Sequence, residues 1–344
     1  MTGRETVDVA VAGGGPVGLA AALHASRAGL SAVVFEPREG VIDKACGEGL
    51  MPGAVAALAD LGVDPDGRPL RGIRYLDGRR SAEASFRRGP GRGVRRTTLH
   101  AALREAVRDA GVDTVAEPVR AVSQCDGRVL VNGRPARYLV AADGLHSPVR
   151  RMLGLDAPAV RVRRYGLRVH VATEPWTDFV EVHWSAAAEA YVTPVAPGLV
   201  GIALLTSGRA PFADQAEQFP ALAARLRGAA TSSVLGAGPL RQRSRRRVAG
   251  RVLLAGDASG YVDALTGEGI ALGLAHAREA VAAIAAGRPQ DYERAWRRVS
   301  RRYQVMTHGL LRASRARPAR RALVPLASAV PPLFDTAVDQ LARG

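Results

Sequence analysis

An α/β fold is predicted by three segments that share one pattern: an apolar strand, a glycine-rich or glycine–acid turn, and a helix start. Val7–Ala12 is a short β-branched run, GGGPVG fills 13–18, helical periodicity continues over 19–28, and 31–35 read as a second strand ending on Glu36. Residues 138–155 (YLVAADGLHSPVRRMLGL) repeat the design, with Asp143 and Gly144 at the strand end and Ser147, Pro148 and Arg150 at the helix start. Residues 251–277 do so again: the strand meets Gly256 and Asp257, and Gly267-Glu268-Gly269 opens an apolar helix. Strands alternating with helices in this way build a mostly parallel sheet with helices on its faces.

Each element then has a chemical reading. In the first segment Gly13 serves the turn, Gly15 the close approach of a pyrophosphate, Gly18 the packing of helix on strand, and Glu36 a ribose hydroxyl. The spacing alone carries little weight, but strand, helix, second strand and terminal acid around it make a dinucleotide-binding fingerprint. Asp8 interrupts the apolar N-terminus, and a cleaved leader would have no use for these glycines, so the segment is not read as a signal peptide. In the third segment a strand end aims the Asp257 carboxylate at a sugar-like hydroxyl. The glycines let backbone N–H groups at a helix start approach a flat, acceptor-rich ring. A helix N-terminus facing an anionic group contributes up to ~2 kcal/mol when partly buried, which suits a reduced, anionic flavin edge. Taken alone, this segment also admits an ordinary strand, turn and helix with glycines for packing.

The GxGxxG, Asp143-Gly144 and Gly256-Asp257 motifs, in this order, resemble the FAD-dependent superfamily of aromatic hydroxylases (group A flavin monooxygenases), geranylgeranyl reductases and flavin halogenases, over residues 7–285. The resemblance implies a Rossmann-like FAD-binding domain of the GR2 type (1–70, 92–155 and 245–287). It interleaves this with a mixed β-sheet substrate domain (71–91 and 156–244) and ends in C-terminal helices (288–344). It also implies that Asp257, with Gly256, meets the ribityl group, and that Gly267, Glu268, Gly269 and Ile270 lie against the flavin pyrimidine. Asp143, Gly144 and Arg150 would support the pyrophosphate region. Arg96, in a VRRTTLHAAL segment that matches the family's Arg-x-x-Leu helix start, would reach the cofactor, with Pro16, Val17, Arg38, Gly47 and Val119 completing the FAD contacts.

Composition fits an enzyme of this kind. A sequence of 344 residues, 47% of them apolar and 23% charged, is able to bury a large core. No apolar run is long enough to span a bilayer, and Cys46 and Cys125 are the only cysteines, so a reducing, cytoplasmic setting without disulfides is expected. The net charge of +16 raises a nucleic-acid-binding reading, with RRGPGRGVRR (87–96) and RQRSRRR (241–247) as phosphate contacts. Aromatics do not interleave with either cluster, and no zinc, helix-turn-helix or RNA-sheet signature accompanies them. A solvated, arginine-rich surface is the better account: one lysine stands among the 48 basic residues, the mark of a bias toward arginine. No nucleic-acid partner and no metal site are expected.

That single lysine, Lys44, lies in VIDKACGEGLMPG, where the superfamily runs a loop over the flavin face. One reading is a compact ammonium placed where arginine's fork would not fit; the other is a chance survivor of the bias. The Lys-x-Cys-Gly pattern resembles geranylgeranyl reductases, in which a cysteine of this loop borders the substrate. Cys46 is therefore a candidate site residue, against the alternative of a small buried hydrophobe. Residues 71–86, 179–184 and 191–205 read as strands of the second sheet. Trp176, Phe179, Trp184, Tyr191 and Pro194 are candidates for an apolar substrate wall, the last three forming the substrate set. His170 and His183 are the histidines of this sheet and candidate acids or bases, with His183 joining Lys44 and Cys46 in the catalytic set. After Arg288 the sequence is helical, with Pro318, Pro325 and Pro331-Pro332 expected to cut it into short pieces. Basic amphipathic helices of this kind are able to lie on a membrane, but the resemblance implies that these cap the pocket.

Segment 236–240 (GAGPL) lacks the strand and helix of a second fingerprint, so NADPH or NADH is expected as a visiting reductant. The halogenase WxWxIP element is absent; the reductase YxWxFP element survives only as Tyr191-Val-Thr-Pro194, while LTGEGI after Asp257 resembles the reductases. The expected activity is an FAD-dependent, NAD(P)H-using monooxygenase hydroxylating an apolar aromatic or polyketide-like small molecule of secondary metabolism with O2. The alternative is a geranylgeranyl-reductase-like enzyme that saturates a prenyl or polyene C=C bond.

Overall fold

In the computed structural model, which describes residues 6–125, 127–158 and 163–343, the strands of the three segments pair side by side. Val252–Leu254, Arg134–Ala141, Val7–Ala12, Ala32–Phe35 and Asp113–Val115 run parallel in that order, and Val248–Ala249 pairs antiparallel at one edge. Val9, Val11, Val34, Val140 and Leu253 are fully buried, each contributing about 1.5–3 kcal/mol. One face is covered by the helices Pro16–Arg27, Arg96–Asp109 and Gly269–Ala285, the other by the Val122–Cys125/Arg128–Val131 hairpin and the short helix Pro148–Met152. All three motif turns therefore sit at the carboxyl ends of parallel strands, where α/β sheets leave their ligand crevice.

The second sheet has the order Leu235–Ala237, Tyr165–Ala172, Leu199–Thr206, Ala188–Ala196, Phe179–Trp184, Gly72–Leu76, Ser81–Ser85. The run expected over 191–205 is two antiparallel strands joined at Pro197-Gly198. One face of this sheet looks at the first sheet's turns; the other lies under Phe212–Ala216 and Pro220–Leu226. A small sheet of Gly49–Leu50, Gly91–Gly93 and Arg68–Leu70 sits between them.

The C-terminal region is less broken than expected. Asp291–Arg315 is one helix, Pro318 and Pro331 sit in first turns where a missing N–H costs nothing, and Pro325 lies inside the helix Arg317–Ala329. Pro325 deprives only the carbonyl of the exposed Arg321 of a donor, so water can replace the lost bond. The basic clusters are partly structural: Arg92 pairs with Asp64, Arg247 stacks 3.7 Å above Trp296 and pairs with Glu293, and Arg245 donates to the Asp156 carbonyl. Among the described residues no helix is long and apolar enough to cross a membrane.

Candidate functional site

The fingerprint turn is built by close approach. Gly13 has φ +99°, and a Cβ there would stand 2.6 Å from the Ala142 carbonyl oxygen; a Cβ on Gly18 would stand 1.8 Å from that of Gly13. The N–H of Gly14 donates to Glu36 Oε2 at 2.9 Å, and Arg38 Nε to Oε1 at 2.8 Å. Burial alone would raise the Glu36 carboxyl, but the bonds from Arg38 and Gly14 hold it below its ordinary value. His100, which sequence reasoning passed over, joins this turn to the neighbouring loop: Nδ1 accepts from the Ile42 N–H, leaving Nε2–H to donate to the Gly14 carbonyl at 2.8 Å.

Between the two sheets lies a cavity of about 260 Å³. One water needs on the order of 10–15 Å³, so this is ligand space rather than a packing void. Gly15, Pro16, Val17, Arg96, Gly144 and Asp257 line one end. Gly267, Gly269 and Ile270 form one side, and Lys44, Cys46, Gly47 and Glu48 another. The inner face of the second sheet closes it with Ile73, Val180, Val182, Tyr191 and Leu205, helped by Leu341 from the C-terminal helices. Lys44 Nζ stands 3.9 Å from Asp257 Oδ2. Arg96 is buried beside Gly15, and its Nη1 finds no hydrogen-bond partner among the described residues. A buried cation with a spare donor at a glycine turn fits an anionic pyrophosphate, and Asp257 beyond it fits a polyol; Gly15, Arg96, Asp257 and the 267–270 turn would hold the FAD.

The loop with Lys44 and Cys46 is pinned to the sheet by a buried network that the sequence did not disclose. Arg168 pairs with Asp43, and its Nη1 donates to His170 Nδ1 at 2.9 Å. Because a guanidinium can only donate, this bond fixes the tautomer, and His170 Nε2–H donates to Glu48 Oε2 at 2.7 Å. Glu48 Oε1 accepts the Arg96 N–H at 2.8 Å, and Thr193 donates to the Gly47 carbonyl at 2.8 Å. Glu48 adopts φ +59°, an expensive conformation for a residue with a side group. Room for its carboxylate comes from Gly201, where a Cβ would lie 2.8 Å from Oε2. A glycine inside a strand marks such an approach, and Gly201 was the available signal. Burial pushes the Cys46 thiol up, so the sulfur at the cavity wall is a neutral thiol.

Several sequence candidates lie elsewhere. His183 is on the outer face, bonded to Glu181 at 3.2 Å and packed edge-on against Phe219, because odd positions of Phe179–Trp184 point away from the cavity. Phe179 stacks under Arg71 and Arg74 on that face, and Trp176 donates to Glu181 beneath Arg225. Trp184 packs on Tyr75 and under Arg320, outside the cavity lining, and Pro194 contributes its carbonyl to the close packing on Gly93. Arg150 spends its guanidinium on Asp156, Gln242 and the carbonyls of Leu145, Asp257 and Ala258, so it ties two motif turns together instead of facing the cavity. Asp143 caps Pro148–Met152 by accepting the Val149 N–H at 2.9 Å. Gly256 lies behind the wall against Val17, and Val119 packs on the apolar cluster under the first sheet. Glu268 turns away from the cavity toward Arg302.

A family model described as an FAD binding domain matches residues 132–288. Among curated proteins, a menaquinone reductase of Mycolicibacterium smegmatis is 31% identical over 84% of this chain and 79% of its own length. The protein belongs to the FAD-dependent oxidoreductase superfamily of monooxygenases and geranylgeranyl reductases. A protoasukamycin 4-monooxygenase of Streptomyces nodosus subsp. asukaensis is 29% identical over 98% of this chain and 97% of its own. The crystal structure of a flavoprotein/dehydrogenase from Cytophaga hutchinsonii shares the fold, with a TM-score of 0.83 at 17% identity, covering 98% of this chain and 93% of that one.

In this FAD-dependent oxidoreductase, Lys44→Met, which removes the charge 3.9 Å from Asp257 at a position still open to solvent, is expected to weaken FAD binding by about twofold to fivefold. Fluorescence titration of the apoprotein checks it, and unchanged affinity would make Lys44 a bystander. Glu268 provides a stability test. Burial raises its carboxyl to about 7 from 4.5, against a partial offset from Arg302. The unfolded state therefore ionises this group at lower pH than the folded one, and the stability it contributes, full below about 4.5, is lost as pH rises through 7. Between pH 5 and 8 the wild type should lose about 1–3 kcal/mol more than Glu268→Gln in urea unfolding. Parallel pH profiles for the two proteins would refute the assignment.

Proposed function

We propose that this FAD-dependent oxidoreductase is an NAD(P)H-using monooxygenase that hydroxylates a phenolic ring carried by an apolar, polyketide-like molecule. The observation that carries the reading is Glu48, which lines the chamber and is bonded to His170 behind it. Ring hydroxylation by O2 proceeds through an electron-rich phenolate, and a carboxylate backed by an imidazole is a base in position to accept the phenolic proton. Ile73, Val180, Val182 and Leu205 would take the apolar part of the substrate by burial alone. When bound, FAD supplies the reducing equivalents and the oxygen activation. The near full-length alignment with a monooxygenase supports this reading. Segment 236–240 supplies the end of a short strand and a proline instead of a second fingerprint, consistent with a reductant that visits and leaves.

Alkene reduction is the second reading, favoured by the neutral Cys46 thiol at the cavity wall and by the menaquinone reductase relative. The deciding experiment supplies NADPH or NADH with alkylphenols and with prenylated quinones under isotopically labelled O2. One labelled oxygen in the phenolic product, with one NAD(P)H consumed, supports the monooxygenase. Saturation of a C=C bond in the prenyl tail at the expense of NAD(P)H, with no labelled oxygen incorporated, overturns it.

A further inference from the structure

The chamber holds a polar group that neither the FAD contacts nor the Glu48 base accounts for, the hydroxyl of Tyr75. On the inner face of the second sheet Tyr75, Val182, Tyr191, Ala203 and Arg168 stand in register on five successive strands. Tyr75 is 9% exposed and lines the cavity together with Leu341 of the last helix. Trp184 stands edge-on to its ring at 5.5 Å and Phe334 packs on it at 4.8 Å, so the ring is held in place before any ligand arrives. Buried tyrosine hydroxyls ordinarily find a hydrogen-bond partner, and among the described residues this one has none. Burial, then the Glu189 carboxylate, push the phenol up, so it is a neutral O–H with a donor to spare. Its neighbours differ. Tyr191 donates to the Leu265 carbonyl at 2.8 Å, Tyr261 lies against Gly269 of the cofactor turn, and Trp184 Nε1, also unpartnered, is sealed off from the cavity.

We propose that Tyr75 is a specificity-determining residue, donating a hydrogen bond to a neutral carbonyl oxygen that the substrate carries at the end remote from its phenolic ring. The assignment rests on the reading of a phenol deprotonated by Glu48. That carboxylate lies over Gly201, three strands from Tyr75, about 14 Å across the sheet at ~4.8 Å per strand. The two groups therefore meet different ends of one molecule. Charge argues against an anionic group at Tyr75. Among the described residues the cations of the lining are Lys44 beside Asp257, Arg96 beside Gly15, and Arg168, which is four strands from Tyr75, about 19 Å. A carboxylate would lie unpaired against Ile73 and Val182, whereas a carbonyl needs only the one donor that Tyr75 offers.

The test titrates the FAD-loaded wild type and Tyr75→Phe, which keeps the packed ring and removes only the hydroxyl, with para-nonylphenol and with its analogues carrying a ketone at each position of the chain. Perturbation of the flavin absorbance gives the dissociation constants. For the best-placed ketone, the ratio of ketone to alkyl affinity should fall by about threefold to tenfold in Tyr75→Phe, the worth of a neutral hydrogen bond. An unchanged ratio at every chain position overturns the proposal. The unliganded variant should unfold at the wild-type temperature, because no bond within the protein is lost. A lower Tm would show that the hydroxyl is bonded inside the protein and would also overturn it. Hydroxylation of the same phenols with NAD(P)H is scored separately. A changed ratio without hydroxylation of any phenol would sink the monooxygenase reading and leave the role of Tyr75 standing; hydroxylation with an unchanged ratio would do the reverse.

Discussion

Asp257→Ala is expected to yield a folded protein that retains a tenth or less of its FAD. The turn that presents Asp257 does not depend on the carboxylate. Arg150 Nη1 donates to the Ala258 carbonyl at 3.0 Å, Ser259 Oγ to the Gly256 carbonyl at 2.6 Å, and Trp296 Nε1 to Ser259 Oγ at 2.8 Å. The carboxylate itself faces the cavity, with Lys44 as its ion-pair partner. Removing it should cost the apoprotein less than about 0.5 kcal/mol, the range of a surface change. A charge-assisted hydrogen bond to a ribityl hydroxyl stabilises by about 1.5–3 kcal/mol, a factor of ten to a hundred in affinity. Absorbance of the purified variant gives the FAD content, and thermal unfolding of the apoproteins gives the fold. Full occupancy in a folded variant would remove Asp257 from the cofactor site; loss of fold would show that the turn needs the carboxylate after all.

What could be read from the sequence followed from locality. The strand Val7–Ala12, the turn after it and Glu36 lie within thirty residues, and one short-range pattern specifies them. The choice between His170 and His183 could not be read in the same way. All six residues of Phe179–Trp184 are buried, so the strand shows no polar face, and which parity looks into the cavity is set by pairing with Gly72–Leu76, more than a hundred residues earlier. On Tyr165–Ala172 the parity that carries Arg168 and His170 faces inward, while Val169 and Val171 join the outer cluster. Arg150 misled for a related reason. Its place beside Asp143 suggested a cofactor contact, yet its five donors are consumed by carbonyls and side groups that only folding brings near.

Glu48 was the least visible residue, and it carries the second large expected effect. No periodicity marks a loop residue, and its partners come from Tyr165–Ala172 and from the start of Arg96–Asp109. Its left-handed backbone is retained because the carboxylate it aims is bonded on both oxygens. Glu48→Gln preserves size and removes the base, but its single oxygen can accept from the Arg96 N–H or from His170 Nε2–H, not from both. If Glu48 accepts the phenolic proton, hydroxylation should fall by about 10²–10³, the usual worth of a positioned base. FAD content and the rate of flavin reduction by NAD(P)H should stay near wild type, since neither requires that proton transfer. His170→Asn, which keeps a polar group but loses the ring behind the carboxylate, should show a smaller loss of about tenfold. The two effects should not add in the double variant, because both act through one proton path. Rapid-mixing measurement of flavin reduction, beside steady-state hydroxylation, separates the possibilities. Slow reduction together with slow hydroxylation would mean that Glu48 serves only to hold the Lys44–Gly47 loop against the sheet, and wild-type hydroxylation in Glu48→Gln would end the case for a base at this wall.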